Sequence, residues 1–173
     1  DRKRAEAAIR ESEARYRTLV ENAPEAIVVL DVDLGRFVEC NDNAVRFFKL
    51  AREELLASGP EKISPPEQAD GMPSFGVSRG HIDRALTGEA PCFEWLHRDN
   101  QGHDIPCEVR LVRLPTSSRR LIRGSITDIT ERKRAEFRAA GGRRVFERIT
   151  CNVDLADTLE ALAETAERVT PDS

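Results

Sequence analysis

Three stretches of alternating apolar and polar residues, between positions 93 and 130, constrain the fold of this chain more than any other feature. Phe93, Trp95 and His97 fall on one face of the first stretch, which the turn sequence Asp99–Gly102 follows. The alternation resumes in IPCEVRLV and, after the polar break PTSSRR, in LIRGSITDIT. A period of two residues is typical of half-buried strands, and a glycine-containing turn between two of them predicts a hairpin. The sequence therefore predicts three consecutive antiparallel strands with one apolar face.

The residues before these strands predict two further strands and two short helices. Ala26–Asp31 is a β-branched run of the kind found in buried strands, and Phe37–Cys40 returns after a turn. Asn41 suits the N-cap of a helix that carries an apolar face. Arg52–Leu56 predicts a second short helix.

A stretch rich in proline and glycine separates the two groups of strands. It extends from Pro60 to Gly80, and it predicts a loop with at most a helical turn or two. Loops of this length in compact domains are more often functional than idle. Val77–Leu86 predicts the helix that follows, which Thr87 and Gly88 end.

The order of these elements resembles a PAS domain. Strand, RDNQG turn, strand, short loop, strand and then DIT before a charged helix are similar to the C-terminal half of that family. RYRTLVENAPEAIVVLDVDLGRFVECNDNAVRFFKLAREELL is similar to its opening, so the resemblance extends from Glu13 to Thr130. It implies an α+β fold, the PAS fold: an antiparallel sheet of about five strands, small helices on one side and helical connectors at both ends. PAS domains share a fold and differ in ligand and output.

The pentapeptide RKRAE occurs twice and indicates how the chain is divided. It stands at Arg2–Glu6 and again at Arg132–Glu136, directly after DIT and one Glu. A repeat at both ends of one module is expected of a tandem array of similar domains. We divide the chain into an N-terminal connector helix (1–21), a PAS core (22–130) and a C-terminal signalling connector (131–153), whose helix Gly141–Gly142 is predicted to interrupt. The last part, 154–173, resembles the first helix of a following GAF-like domain.

The N-terminal connector carries a narrow apolar stripe at helical spacing. Its members are Ala5, Ala8, Ile9, Ser12, Tyr16, Leu19 and Val20. One interpretation is a solvated helix whose last turns pack on the domain. The other is a two-stranded coiled coil with a second copy, which makes a homodimer the expected partner state.

Charge and cysteine usage exclude several classes of partner. The net charge of −4 implies no general affinity for nucleic acid. No apolar run approaches the ~20 residues that span a bilayer, so we expect no membrane contact from this segment and a cytoplasmic protein. Cys40, Cys92, Cys107 and Cys151 fit no CxxC motif and are expected to be reduced. Cys92 and Cys107 flank the turn symmetrically and are expected to be near neighbours.

Five side chains are expected near a ligand cavity, if the sheet encloses one, because of the faces that they occupy. They are Phe48, Phe75, His81, Trp95 and Cys107. A cavity of ~300 Å³ or more with convergent polar groups would indicate a sensor of a small molecule. A filled core would indicate a purely structural adaptor.

The resemblance and the histidines argue against a cofactor. Some PAS domains bind haem through the helix that carries His81, but the resemblance places the ligand position at Val77. LOV relatives bind flavin through an Asn-Cys-Arg-Phe-Leu type motif, which this sequence lacks. His97, His103 and Cys107 lack the pairing of zinc ligands. We expect no haem, flavin or metal, and we expect His97 to lie half in solvent and His103 to be exposed.

The tripeptide Asp128-Ile129-Thr130 joins the last strand to the charged helix that begins at Glu131. Asp128 or Thr130 can cap that helix. In PAS relatives this junction transmits the signal, so the resemblance implies a signal relay here. The sequence contains no phosphate loop and no HExxH or GxSxG motif, and we expect no enzyme activity.

Taken together, the sequence predicts a sensory or dimerisation module of a larger bacterial signalling protein. Its C-terminal helix would relay the state of a ligand or partner to a downstream output domain. The alternative is a structural PAS adaptor with a filled core. A histidine kinase and a diguanylate cyclase are both open as the parent protein.

Overall fold

Residues 2–116 and 118–150 are described by a computed structural model, and residues 141–150 of that range in backbone only. The chain divides after Thr130 into two compact units. The described elements are, in order, α1 (Arg2–Glu21), β1 (Ala26–Asp31), β2 (Arg36–Cys40), α2 (Asp42–Phe48), α3 (Arg52–Leu56), α4 (Ser74–Leu86), β3 (Cys92–Arg98), β4 (Asp104–Arg113), β5 (Leu121–Asp128) and α5 (Thr130–Thr150).

The five strands form one antiparallel sheet in the order β2-β1-β5-β4-β3. The predicted hairpin between β3 and β4 turns at Gly102, whose φ of +84° is a conformation that glycine adopts without strain. Strand β5 pairs with β1 on one side and with β4 on the other, so the first and last strands lie at the centre. Helices flank this sheet, which confirms the expected α+β PAS fold.

The core lies between one face of the sheet and the short helices. Alternate residues of β1, β4 and β5 contribute to it, as the period of two predicts. Phe48 from α2 and Leu55 from α3 are fully buried against them. Trp95 supplies the largest side chain from β3.

The stretch from Pro60 to Gly80, predicted as a loop with at most a helical turn or two, ends in the first two turns of α4. Helix α4 begins at Ser74, three residues before the predicted start at Val77. Pro73 occupies the N-cap position with φ −60°, and proline at a helix start loses no hydrogen bond that the helix needs. Proline is common in loops, but Pro73 stands at the start of a helix.

The register of the β3–β4 hairpin separates two cysteines that were expected to be neighbours. Cys92 lies opposite Arg110, and Cys107 lies opposite Trp95. The residue pair nearest the turn is Arg98 and Asp104. In this register Cys92 lies three residue pairs farther from the turn than Cys107. Cys40, Cys92 and Cys107 are free thiols, and Cys151 lies outside the described residues.

The connector helices are each a single helix in the described range. Helix α1 has no buried residue, and Ile9, Tyr16 and Leu19 of its apolar stripe are exposed. Helix α5 continues through Gly141 and Gly142, so the predicted interruption there is wrong. An isolated glycine pair lowers helix propensity by about 1 kcal/mol per residue without forcing a break. The predicted GAF-like helix at 154–173 lies outside the described residues.

A close backbone approach makes Gly59 a sensitive position. A Cβ atom on Gly59 would lie 2.5 Å from the carbonyl oxygen of Gly35, in the turn between β1 and β2. We expect Gly59→Ala to lower the free energy of unfolding by about 2 kcal/mol, because backbone must move to relieve the overlap. Gly80→Ala is the control: a Cβ there meets no atom within 4 Å. That variant should be as stable as the parent or more so, and urea denaturation of both proteins measures the difference.

Candidate functional site

A small cavity lies between the inner face of the sheet on one side and α4 with the segment before it on the other. Its volume is about 70 Å³. Every strand contributes to its wall, and the strand residues are Val28, Leu30, Phe37, Phe93, Trp95, His97, Val109, Leu111, Ile122, Gly124 and Ile126. Pro60, Ile63, Ser64, Ser78 and Ile82 close it from the other side. His97 is the one residue in this lining whose side chain can take up a charge near neutral pH.

The segment between α3 and α4 is fastened to the edge strand β3 by a side chain that sequence reasoning missed. Gln68 Oε1 accepts a hydrogen bond from the backbone N–H of Leu96 at 2.7 Å, and its Nε2 donates to the carbonyl of Leu96 at 3.2 Å. The amide of Gln68 thus replaces a neighbouring strand at this position. Farther along, the N–H of Arg98 donates to the carbonyl of Ile63 at 2.9 Å. These bonds hold the outer wall of the cavity in place.

His97 is buried, so the expectation that it lies half in solvent is wrong. Its residue exposure is 5%, because the Ile63 segment covers the edge strand beside it. The ring packs edge-on to Phe48 at a centroid distance of 5.3 Å. Burial lowers the pKa of His97 to about 4, although the hydrogen bond to Ile63 acts in the opposite direction. The ring is therefore neutral at physiological pH.

The hydrogen bonds of His97 fix its tautomer. Nδ1 lies 2.8 Å from the carbonyl oxygen of Ile63. A carbonyl only accepts, so Nδ1 carries the hydrogen, and Nε2 of the neutral ring is an acceptor. Nε2 is buried and has no hydrogen-bond partner among the described residues. An orphaned buried acceptor of this kind is rare in folded proteins.

The five side chains expected near a cavity occupy different places. Trp95 lines it, and its Nε1 donates to Ser64 Oγ at 3.1 Å. Phe48 is fully buried behind His97, and Cys107 is fully buried opposite Trp95. His81 is half-buried and stacks on Phe93 at 3.6 Å, outside the lining. Phe75 is 61% exposed and lines a separate surface depression.

Burial also alters the chemistry of His81 and Cys107. Desolvation lowers the pKa of His81, and the nearby charge of Arg84 lowers it further. Desolvation and the carboxylate of Asp128 raise the pKa of the Cys107 thiol to about 12. A thiol that remains protonated at neutral pH is neither a nucleophile nor a ready metal ligand.

The buried carboxylate of Asp99 organises the β3–β4 hairpin. The sequence indicated only that Asp99 belongs to a turn. Asp99 accepts hydrogen bonds from Lys49 Nζ at 2.6 Å and from the backbone N–H groups of Gln101 and His103. Burial raises the pKa of Asp99, but these donors outweigh it and hold the pKa well below its usual range. The N–H of Asn100 also donates to the carbonyl of Phe48 at 2.9 Å. The hairpin is thus tied to the C-terminal end of α2.

The predicted relay tripeptide begins at the last residue of the central strand. Strand β5 ends at Asp128, and helix α5 begins at Thr130, one residue earlier than expected. Asp128 Oδ1 accepts a hydrogen bond from the N–H of Thr130 at 2.7 Å. Ile129 is buried, and its N–H donates to the carbonyl of Pro106 at 3.0 Å. The end of β5 is therefore anchored to β4.

Two negative findings apply to residues 2–116 and 118–150. They contain no group of three His, Cys, Asp or Glu side chains placed to hold a metal ion. Within the same ranges, every helix is too short or too polar to pass through a bilayer.

Several solved structures described as PAS domains are similar to this chain. The PAS domain of an HTR-like protein from Haloarcula marismortui is 25% identical, with a TM-score of 0.59 over 73% of this chain and 99% of that one. A PAS domain from a two-component sensor histidine kinase is 24% identical, with a TM-score of 0.54 over 68% of this chain and 97% of that one. The second likeness bears on the fold alone.

Sequence comparison gives the same family. A methyl sulfide methyltransferase-associated sensor from Methanosarcina acetivorans is 28% identical over 129 residues, which are 75% of this chain. The chain spans only 12% of the length of that relative. The family model described as PAS fold matches residues 20–134, and the chain therefore belongs to the PAS family.

Proposed function

We propose that this chain is a non-enzymatic sensory module that relays the state of its cavity to a downstream output domain through α5. The observation that carries the proposal is the course of β5. Ile122, Gly124 and Ile126 of this strand line the cavity, and the same strand leads through Asp128–Thr130 into the helix. A change inside the cavity acts on β5, which is one residue away from the start of α5.

The physical mechanism that we propose is a population shift. The sheet has two slightly different geometries, and an occupant of the cavity stabilises one of them. The hydrogen bonds of Ile129 to Pro106 and of Asp128 to Thr130 make the junction short and ordered, so the bias reaches the first turn of α5. Neighbouring domains in the same cytosolic chain, such as a PAS or GAF domain and a kinase or cyclase output, would receive it.

A structural adaptor is the second candidate, and one observation favours it. The cavity of about 70 Å³ is well below the ~300 Å³ expected for a pocket that binds a drug-sized ligand. The similarity to a relative named as a sensor favours the sensor, and so does the course of β5 from the cavity wall to α5.

The proposal includes a homodimer formed through α1. Ile9, Tyr16 and Leu19 form an apolar stripe that is exposed in the single chain, which a second copy of the helix would cover. Native mass spectrometry of this chain measures the subunit number, and an absorption spectrum of the same sample tests the expected absence of haem and flavin.

The relay is tested by combining a change in the cavity with a change at the junction. A Cβ on Gly124 would meet Val28 Cγ2 at 3.4 Å and Leu111 Cδ2 at 3.6 Å, so Gly124→Ala fills cavity space with ordinary contacts. We expect it to alter the hydrogen-exchange rates of the α5 amides in residues 131–140. With Asp128→Ala in the same chain, this effect should become much smaller, because the bond to Thr130 is lost.

The free energy of unfolding of Asp128→Ala distinguishes a role of Asp128 in the relay from a role in folding. Loss of one exposed cap is expected to lower the free energy of unfolding by only about 1 kcal/mol. Asp128→Asn retains an acceptor oxygen and is the matched control, with exchange rates close to the parent. A loss of several kcal/mol in Asp128→Ala would assign Asp128 a structural role. Equal hydrogen-exchange rates of the α5 amides in the parent and in Gly124→Ala would contradict the proposed relay.

A further inference from the structure

Helix α1 is attached to the domain at its C-terminal end. The helix contains no buried residue, and Val20 and Glu21 in its last turn are half-buried. The carbonyl oxygen of Val20 accepts a hydrogen bond from Asn41 Nδ2 at 3.0 Å. Glu21 Oε2 accepts one from the N–H of Asp42 at 2.9 Å, and Glu21 Oε1 lies 3.7 Å from the guanidinium of Arg52. A helix that is held at one end and buries little surface can change its angle to the sheet at small cost.

An open groove lies between α1 and the outer face of the sheet. Its volume is about 510 Å³. Tyr16 and Val20 line it from the helix, and Ile27, Val29 and Val38 line it from β1 and β2. The groove gives α1 space to tilt toward the sheet, and such a movement would bring these apolar side chains together. The helix therefore has a second position, in which it closes the groove.

Arg52 connects the end of α1 to three other elements. It is the first residue of α3, and its guanidinium donates to the carbonyl of Cys40 in β2 and to the carboxylate of Asp42 in α2. Its third partner is Glu21 of α1. The side chains of Arg52 and Glu21 are 37% and 36% exposed, and ion pairs of this exposure contribute little to the stability of a fold. A partner that binds α1 can therefore release this pair without unfolding the domain.

Asn41 connects the end of α1 to the centre of the sheet. Besides its bond to Val20, it is bonded twice to Ile27 of β1. Asn41 Oδ1 accepts from the N–H of Ile27, and the N–H of Asn41 donates to the carbonyl of Ile27, each at 3.0 Å. Ile27 lies opposite Ser125 of β5, three residues before that strand ends at Asp128. A displacement of α1 thus reaches β5 through one buried side chain and one strand.

We infer that α1 is an input element, whose position is transmitted through Asn41, β1 and β5 to α5. The pair of Glu21 and Arg52 holds the helix in one position, and a partner helix that covers the apolar stripe of α1 shifts it to the other. This input acts at α1 and needs no occupant of the cavity. It goes beyond the cavity relay, with which it shares the output through β5.

The test breaks the ion pair of Glu21 in the whole chain. Glu21→Gln removes the charge and retains an acceptor oxygen for the N–H of Asp42. We expect the methyl NMR signals of Ile27 and Val38 to shift, because α1 changes its position over the groove. The hydrogen-exchange rates of the amides in residues 131–140 should change by about two- to fivefold, which corresponds to the loss of one exposed ion pair.

Glu11→Gln is the matched control. It neutralises another glutamate of α1, whose partner Arg15 lies in the same helix at 3.0 Å. That variant should leave the methyl signals of the groove and the α5 exchange rates unchanged. Equal α5 exchange in Glu21→Gln and Glu11→Gln overturns the inference. So does faster exchange throughout the sheet in Glu21→Gln, which would mean that Glu21 acts on the stability of the fold.

Two double variants distinguish this input from the cavity relay. The α5 response to Glu21→Gln should remain in a chain that also carries Gly124→Ala, and its loss there would contradict an input independent of the cavity. Combined with Asp128→Ala, the methyl shifts should persist and the α5 response should disappear, because the bond to Thr130 is lost. A persisting α5 response would contradict the route through β5. Altered α5 exchange in Gly124→Ala, without any response to Glu21→Gln, would overturn the input and leave the cavity relay standing.

Discussion

Replacing Asn41 by alanine is expected to lower the free energy of unfolding by about 4 kcal/mol. Its side chain is fully buried and makes four hydrogen bonds. Oδ1 accepts from the N–H groups of Ile27 at 3.0 Å and Ala44 at 2.9 Å. Nδ2 donates to the carbonyls of Val20 and Glu25, each at 3.0 Å. Alanine leaves these backbone groups without their partner, and some of them without any replacement from water.

Asn43→Ala provides a matched control two residues away. Asn43 Nδ2 donates a single exposed hydrogen bond to the carbonyl of Pro24. Water can replace that donor, so the loss should stay below about 1 kcal/mol. Urea denaturation followed by the fluorescence of Trp95, the one tryptophan in the sequence, measures both variants. Similar losses in Asn41→Ala and Asn43→Ala would show that the four buried bonds contribute no more than a surface contact.

The different bonds of Asn41 show what the sequence could and could not reveal. Its bond to the N–H of Ala44 is an N-cap, and the sequence predicted it because capping depends on residues three positions apart. The other three bonds reach Val20, Glu25 and Ile27, which lie 14 to 21 positions away. No periodic pattern reports such a contact, so the junction of α1, β1 and α2 at this side chain was not predicted.

The strands were predictable for a related reason. Alternation of apolar and polar residues is a direct consequence of strand geometry with one buried face, and it fixed β3, β4 and β5 within a few residues. The same alternation placed Trp95 on the inner face, where it lines the cavity. It placed His97 there as well, but the burial of His97 depends on the segment around Ile63, which has no period.

Phe75 shows that the buried face of a helix is hard to predict when the helix begins inside an irregular segment. Without the start of α4 at Ser74, the face on which Phe75 lies could not be assigned. The structure puts it in the first turn of the helix and 61% exposed. The cavity side of α4 is instead formed by Ser78 and Ile82, four residues apart on one face.

The buried His97 should make the protein lose stability as the pH falls from about 6.5 to about 4. The unfolded histidine takes up a proton near its ordinary pKa of 6.5, whereas the folded one resists protonation down to about 4. Between these values the unfolded state binds more protons, so the free energy of unfolding rises with pH and falls on acidification. The difference corresponds to about 3 kcal/mol at about 1.4 kcal/mol per pKa unit.

Two other groups define how the measurement must be designed. The pKa of His81 is also lowered, so His81 contributes in the same direction just below pH 6.5. The pKa of Asp99 is lowered from 3.8, so its contribution is lost only in more acidic solution, below the window of His97. We therefore expect His97→Gln to remove most of the decline between pH 7 and 4, even if that variant is less stable at pH 7. His81→Gln should retain most of it. Urea denaturation of the parent and the two variants at steps of half a pH unit gives the slope of the free energy of unfolding against pH. An unchanged slope in His97→Gln would contradict the prediction, because another group would then titrate in this range.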